Sequence, residues 1–130
     1  DSVLFISEIK NTKDLLAAMD IFVMPSLQEG LGLALMEAMA QGIAVVGSAV
    51  GGIKTLIQDK QNGLLVAPAD APALAQAMIM LLNDALLRRS LGTQAREFII
   101  ANFSKEEMVN KTEIVYQQSL FKKQSSKDHK

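Results

Sequence analysis

Residues 21–47, IFVMPSLQEGLGLALMEAMAQGIAVVG, hold two apolar runs on either side of a helical pattern, and they decide the fold. The runs 21–24 (IFVM) and 43–46 (IAVV) are continuously apolar, which is typical of strands covered on both faces. Between them an apolar stripe of helical spacing predicts a helix over about 33–41, and Gly42 suits its end. A strand, a helix and a second strand in this order indicate two parallel neighbours in one sheet.

The same alternation extends to both sides of this stretch. Two further buried strands are predicted at residues 3–6 (VLFI) and 64–66 (LLV), and the turn 59–63 (DKQNG) leaves Gly63 free to take a positive φ. Capping and glycine signals predict five further helices. The first is capped by Asn11 and ends at about residue 19, the second spans about 53–58 after Gly51 and Gly52, and the third spans about 71–82 after Asp70, with Pro72 in its first turn. The fourth runs from Asp84 to about 102 with Gly92 as a candidate break, and the last spans about 104–120 with Ser104 and Glu107 as a capping box.

This order of elements predicts an α/β domain with a parallel sheet and helices on both faces. Residues 1–120 would form the domain, and residues 121–130 (FKKQSSKDHK) would be a polar, disordered tail. Ligands of open α/β sheets bind outside the carboxyl ends of the strands. We therefore expect the site at the loops 7–12, 25–32 and 47–52.

The composition excludes several classes of function. A length of 130 residues suits one domain, and a formal net charge of −1 gives no basic face for nucleic acid. The absence of cysteine excludes disulfides and thiolate metal sites and fits the cytoplasm, where we expect the protein. No apolar run reaches the length of a membrane span or forms a signal peptide. Because the chain begins at Asp1, we expect it to be a piece of a longer protein.

Two carboxylates at the predicted ligand edge are the candidate site residues. Glu29 lies in the loop after a predicted strand, and Glu37 lies in the helix that follows Gly30 and Gly32. Seven residues of separation is a weak signal alone, and two solvated acids would show the same spacing. Facing one crevice, however, two carboxylates suit hydroxyl groups, and free N–H groups at a helix start suit phosphate. Together they favour a sugar attached to a diphosphate.

Other motifs in the sequence indicate a function less specifically than the two carboxylates. Gly51 and Gly52 fit a simple bend about as well as a ligand contact, and Lys54 fits a solvated surface side chain better than a phosphate anchor. The glycine loop is neither a Walker loop nor a full dinucleotide fingerprint, because GK[ST] is absent and Leu35 replaces the third glycine. The sequence assembles neither a Ser–His–Asp triad nor a metal-ligand cluster, and His129 lies in the polar tail.

The ordered series P-S, E-G-x-G, E-A-M-A-x-G, V-V, G-G and N-G-L-L-V resembles one known family. PSLQEGLGLALMEAMAQGIAVVGSAVGGI, followed by NGLLVAPAD, is similar to the C-terminal donor-binding domain of family 4 (group 1) retaining glycosyltransferases. The likeness runs over about residues 3–120. It implies the GT-B fold of two facing Rossmann-like domains, of which this chain would be a truncated C-terminal half.

The resemblance also implies roles for named residues. Glu37 would accept hydrogen bonds from the ribose hydroxyls of the nucleotide, and Glu29, the candidate catalytic residue, would hold the donor sugar rather than act as a general base. The sugar and the diphosphate would also contact the backbone of four residues, Gly30, Leu31, Gly32 and Leu33. The family needs no metal ion and no cofactor, and the nucleotide-diphosphate sugar is its substrate.

The chain departs from the family in ways that bear on function. Ala44 replaces a frequent Pro, Lys54 and Thr55 replace a frequent Pro-Glu, and a Gly common near Ser7 is absent. The Arg and Lys that neutralise the diphosphate in the family lie upstream, together with the first strands and the N-terminal domain that binds the saccharide or lipid-linked acceptor. We therefore expect an open sheet edge, membrane contact only through the absent half, and no activity from this fragment alone.

Three alternatives to a glycosyltransferase follow. A non-catalytic nucleotide-binding or interaction domain of GT-B ancestry would fit a chain without the upstream anchors, and a GT-B sugar-nucleotide epimerase would bind the same donor class. A response-regulator receiver is set aside, because Ser7–Glu8 and Gly47–Ser48 stand where its acidic pair and phosphorylated Asp are needed. The donor sugar, its base and the acceptor are not encoded in these motifs.

Overall fold

The computed structural model describes residues 3–103 of the chain. The chain divides into two compact units, Asp1–Ile99 and Ile100–Lys130, and the fold below is that of the first. The predicted helix at 104–120 and the predicted tail at 121–130 lie outside the described residues.

Strands and helices alternate along the described residues. The strands are β1 (Ile21–Met24), β2 (Ala44–Ser48) and β3 (Leu64–Val66). The helices are α1 (Thr12–Ala17), α2 (Leu33–Ala40), α3 (Gly51–Leu56), α4 (Ala71–Asn83) and α5 (Ala85–Asn102). The predicted strands at 21–24 and 64–66 are thus confirmed, and the strand predicted at 43–46 is shifted by one residue at its start and two at its end.

The three strands form one parallel sheet in the order β1-β2-β3. Ile21 pairs with Ala44 and Met24 with Gly47, while Ser48 pairs with Val66. This register brings the carboxyl ends of all three strands to the same edge. The predicted parallel α/β sheet is confirmed.

Side chains of β2 alternate between two covered faces. On one face Ala44 and Val46 pack in a cluster with Leu64 and with residues of α4 and α5, among them Leu81 and Leu91. On the other face Gly47 lies against Ile53 of α3 and against Ile57, which follows α3. All five residues of β2 are buried, which explains why its sequence is apolar without alternation. Helices on both faces are therefore confirmed.

The helix caps predicted at Asn11, Asp70 and Asp84 are confirmed, and the capping box predicted at Ser104 and Glu107 lies outside the described residues. The Asn11 side chain accepts hydrogen bonds from the N–H groups of Lys13 and Asp14, and Asp70 Oδ1 accepts one from Ala73 at 3.0 Å. Asp84 Oδ1 does the same for Leu87 at 2.9 Å. Each carboxylate or amide satisfies an N–H group that the first helical turn leaves without a partner.

The strand predicted at residues 3–6 is wrong. These residues form no regular element and pair with no strand among the described residues, and the Phe5 side chain is 92% exposed. An apolar run becomes a buried strand only where neighbours cover both of its faces. Residues 3–103 supply no such cover for it. The open sheet edge expected from the resemblance therefore lies at β1, because no strand forms at residues 3–6.

The candidate helix break at Gly92 is also wrong, because α5 runs unbroken through it. A β-carbon on Gly92 would collide with the carbonyl oxygen of Gly42, which follows α2. Gly92 is therefore a point of close approach between α5 and the loop into β2, and this contact explains a glycine in a helix interior.

Two turn predictions need correction. The positive φ expected at Gly63 occurs instead at Lys60, whose φ is 67°. Gly63 is required for space, since a β-carbon there would lie 2.8 Å from Val45 Cγ2. The helix predicted from about residue 53 begins at Gly51, so the glycine pair belongs to its first turn rather than to the loop before it.

Candidate functional site

The loops at the carboxyl edge of the sheet gather most of the predicted site residues. Residues 25–32 connect the end of β1 to α2, and residues 49–50 connect the end of β2 to α3. Because β1 and β2 are adjacent and parallel, these two loops are neighbours. The predicted position of the site, at this edge, is the one where open α/β sheets bind ligands.

Glu29 is held in place by its own loop. The Ser26 hydroxyl donates a hydrogen bond to Glu29 Oε2 at 3.2 Å, and both side chains are partly buried. A carboxylate has about four acceptor positions, so this contact leaves most of them available to a ligand. Glu29 is thus an oriented acceptor rather than a freely rotating surface acid.

Gly32 begins α2 with an open end. Its φ of 67° lies in the left-handed region, which a glycine adopts without a steric cost, and it carries no side chain to cap the helix. The first N–H groups of α2 consequently lack a side-chain acceptor. A helix N-terminus in this state attracts anionic oxygen atoms through its N–H groups and its dipole.

Glu37 stands one turn further along α2, on the helix face that carries Leu33. Its side chain is exposed, whereas the neighbouring Met36 and Ala38 are buried in the core. Four residues of helix span about 6 Å, and helical side chains lean toward the N-terminus. The Glu37 carboxylate therefore lies on solvent-facing surface near the open end of α2.

The glycine pair at the start of α3 packs directly on the loop that carries Glu29. The Gly52 N–H donates a hydrogen bond to the Glu29 carbonyl oxygen at 3.2 Å. A β-carbon on Gly51 would collide with that same oxygen, and one on Gly52 would collide with the carbonyl oxygen of Gly30. This close backbone contact gives a structural reason for both glycines, and the ligand contact considered for the pair stays a prediction.

Within residues 3–103, a hollow lies at each of two opposite edges of the sheet. One of about 230 Å³ adjoins the candidate site through Leu27 and is also lined by Ser48, Val66 and Asp70. The other, of about 340 Å³, lies by the amino-terminal ends of β1 and β2 and is lined in part by Gly42 and Arg88. The larger hollow is therefore on the edge away from Glu29, and its size does not mark the site.

A family model described as "Glycosyl transferases group 1" matches residues 1–84, well over half of the chain. The chain belongs to this glycosyltransferase family. The resemblance inferred from the sequence is thereby confirmed. The GT-B fold assigned to that family agrees with the parallel sheet and the two helical layers observed here.

A curated relative and two solved structures show how much of a family member this chain represents. The N-acetyl-alpha-D-glucosaminyl L-malate synthase of Bacillus anthracis is 39% identical over 116 residues, which are 89% of this chain and 30% of that protein. The C-terminal domain of a group 1 glycosyl transferase, LpcC, from Francisella tularensis is 30% identical with a TM-score of 0.71. The match covers 79% of this chain and 53% of that domain.

The second structure includes a bound nucleotide. S. aureus TarM, in complex with fondaparinux, alpha-GlcNAc-glycerol and UDP, is 31% identical with a TM-score of 0.70, over 77% of this chain and 20% of that one. This chain therefore spans about a third or less of the full-length proteins that it matches.

Sequence reasoning missed how the Glu29 loop is held. In the sequence, Ser26 stands out only as part of the P-S pair, and Gly51 and Gly52 fit only a bend or a ligand contact. A usable signal is present in the sequence: the two loops follow adjacent parallel strands, so a glycine pair in one allows close approach of the other.

Residues 3–103 contain no helix long and apolar enough to cross a membrane. They also contain no group of three acidic or histidine side chains suited to a metal ion.

Proposed function

We propose that this chain forms the donor-binding part of a glycosyltransferase that uses a nucleotide-diphosphate sugar and retains the anomeric configuration. The observation that carries the proposal is the loop 29–33, which joins an oriented carboxylate to a helix end without a side-chain cap. Membership of the group 1 family and the UDP bound by TarM support the same class of donor.

Each part of the donor has a matching part of the site. Glu37 accepts hydrogen bonds from the ribose hydroxyls, and Glu29 accepts them from hydroxyls of the transferred sugar. The backbone of four residues, Gly30, Leu31, Gly32 and Leu33, contacts the sugar and the diphosphate at the start of α2. Because carboxylates repel phosphate, the diphosphate is held by the N–H groups at the start of α2 and not by either glutamate.

The reaction breaks the bond from the anomeric carbon to the diphosphate oxygen and forms a bond to the acceptor oxygen on the same face. The acceptor proton passes to the departing diphosphate. Glu29 serves by fixing the sugar, and the helix end stabilises the charge that develops on the leaving group. The proposal requires neither a metal ion nor a cofactor.

The rest of the protein supplies the acceptor site in this proposal. The acceptor is a saccharide or a lipid-linked saccharide, and any membrane contact is made outside this chain. Because the chain spans 30% of the length of its B. anthracis relative, we expect the 130-residue chain alone to transfer no sugar. We place the enzyme in the cytoplasm, in keeping with a sequence that contains no cysteine.

Calorimetric titration of the protein encoded by the complete reading frame tests this proposal. UDP-, GDP- and ADP-sugars and the matching free nucleotides are titrated against the wild type, Glu37→Ala and Glu29→Ala. We expect one class of donor to bind. Glu37→Ala should weaken binding of both the free nucleotide and the nucleotide sugar, whereas Glu29→Ala should weaken binding of the nucleotide sugar alone. Donor binding that neither change affects would overturn the assigned site, and no donor binding at all would favour a non-catalytic interaction domain.

A further inference from the structure

We propose that Ser26, Gly51 and Gly52 are positioning residues for Glu29, with the hydroxyl orienting the carboxylate and the glycine pair holding the backbone. The inference rests on the proposed function, in which Glu29 contacts the donor sugar. It assigns these three residues to the transfer step although none of them needs to touch the substrate.

Ser26 acts on the side chain. Its hydroxyl lies 3.2 Å from Glu29 Oε2 and can only donate to an ionised carboxylate. A glutamate has three side-chain torsions, and fixing them at the moment of reaction has an entropic cost. The Ser26 hydrogen bond meets part of that cost before the donor arrives, and it leaves Oε1 free for a sugar hydroxyl.

Gly51 and Gly52 act on the backbone. The Gly52 N–H contacts the Glu29 carbonyl oxygen at 3.2 Å, and a β-carbon on either glycine would overlap the backbone of Glu29 or Gly30. The loop after β1 is thus held against the first turn of α3. Since α3 is anchored by Ile53, which is fully buried, the contact ties Glu29 to the core of the domain.

From these two contacts we predict different effects on steps that involve the donor sugar and on binding of the free nucleotide. Both contacts are made to Glu29, whereas Glu37 is carried by α2 and takes part in neither of them. Loss of a positioning contact should therefore reduce sugar-dependent steps and spare binding of the free nucleotide. If the contact had a purely structural role, its loss would lower both the rate of sugar transfer and the affinity for the free nucleotide, or neither of them, in molecules that remain folded.

The test uses Ser26→Ala in the protein encoded by the complete reading frame, with the donor identified by titration. We expect kcat to fall roughly tenfold, the equivalent of one lost hydrogen bond to a charged group, with the Kd of the free nucleotide changed less than about twofold. Ser26→Thr keeps the hydroxyl and should restore kcat to within about threefold of wild type. Ser90→Ala, the same change at an exposed position of α5, is the matched control and should have no effect.

The outcomes separate this inference from the function on which it rests. If Glu29→Ala impairs transfer but Ser26→Ala leaves kcat unchanged, the positioning role is wrong and the proposed site stands. If Glu29→Ala and Ser26→Ala both leave transfer unchanged, the proposed role of Glu29 fails as well. If Ser26→Ala weakens the free nucleotide as much as the nucleotide sugar, or Ser26→Thr rescues nothing, the positioning role is overturned.

Discussion

Two glycine contacts in this molecule rely on the same close packing of backbones but lie in different parts of the domain. At the carboxyl edge of the sheet, Gly52 lets α3 touch the backbone of the loop that carries Glu29. At the far end of α2, Gly92 lets α5 touch the carbonyl oxygen of Gly42. Both are sites where a β-carbon does not fit. We therefore expect the contact of Gly52, whose partner is the Glu29 loop, to affect donor use, and the contact of Gly92 to affect stability alone.

The largest effect should come from Gly52→Ala. The new methyl group overlaps the carbonyl oxygen of Gly30, so the loop must move away from α3. We expect kcat/KM for the donor to fall about 100-fold or more, as misplacement of a substrate-positioning group predicts, together with a stability loss of about 1–3 kcal/mol. Steady-state kinetics on the folded variant and urea unfolding measure the two effects, and kinetics within threefold of wild type would show that the contact does not position the site.

Gly92→Ala should alter stability without altering donor use. Overlap with the Gly42 carbonyl oxygen is costly, but alanine favours a helix interior by about 1 kcal/mol, so we expect a net loss of about 1–2 kcal/mol. Urea unfolding measures the loss, and Thr93→Ala, at the next and exposed position of α5, is the control. A changed Kd for the nucleotide sugar in the folded variant would show that the Gly92 contact also affects donor binding, contrary to this prediction.

A second pair of variants tests whether lying at the same sheet edge as Glu29 is enough to affect donor use, without a contact to the Glu29 loop. Asp70 caps α4 at the same edge as Glu29, and Asp84 forms an equivalent hydrogen bond at the start of α5. Replacing either by Ala should lower the free energy of unfolding by about 1 kcal/mol, because one N–H group loses its acceptor. Donor kinetics should stay unchanged in both; an effect confined to Asp70→Ala would extend the site to the hollow that Asp70 lines.

The smallest effect should come from adding a glycine. Lys60 has a φ of 67°, a conformation that strains a residue with a β-carbon. In Lys60→Gly the relief of strain is offset in part by the entropy of the unfolded chain, so we expect a gain of about 0.5 kcal/mol. Thermal or urea unfolding detects it against Gln61→Gly, which should lose stability. A destabilised Lys60→Gly would show that a left-handed φ alone does not favour glycine in this turn.

The sequence predicts the elements whose signals are local. The bounds of β1 and β3 and the caps at Asn11, Asp70 and Asp84 follow from apolar runs and side-chain oxygen atoms placed next to helix starts. It fails where the outcome depends on a distant partner. Residues 3–6 have the composition of a buried strand, but nothing within 3–103 covers them.

In the candidate site too, some features follow from the local sequence and others depend on contacts between distant residues. The position of Glu29 and Glu37 at the carboxyl edge follows from the order of strands and helices. The Ser26 hydrogen bond and the contact of Gly51 and Gly52 with the loop depend on how two loops approach in three dimensions, which a pattern along one chain does not specify.

A crystal structure of the complete protein with its nucleotide-sugar donor tests the central claim most directly. We predict the Glu37 carboxylate within about 3 Å of a ribose hydroxyl, Glu29 within the same distance of a sugar hydroxyl, and the diphosphate at the N–H groups that open α2. The Ser26 hydroxyl should still contact Glu29. A donor bound elsewhere, or one whose phosphates avoid the start of α2, would contradict the account.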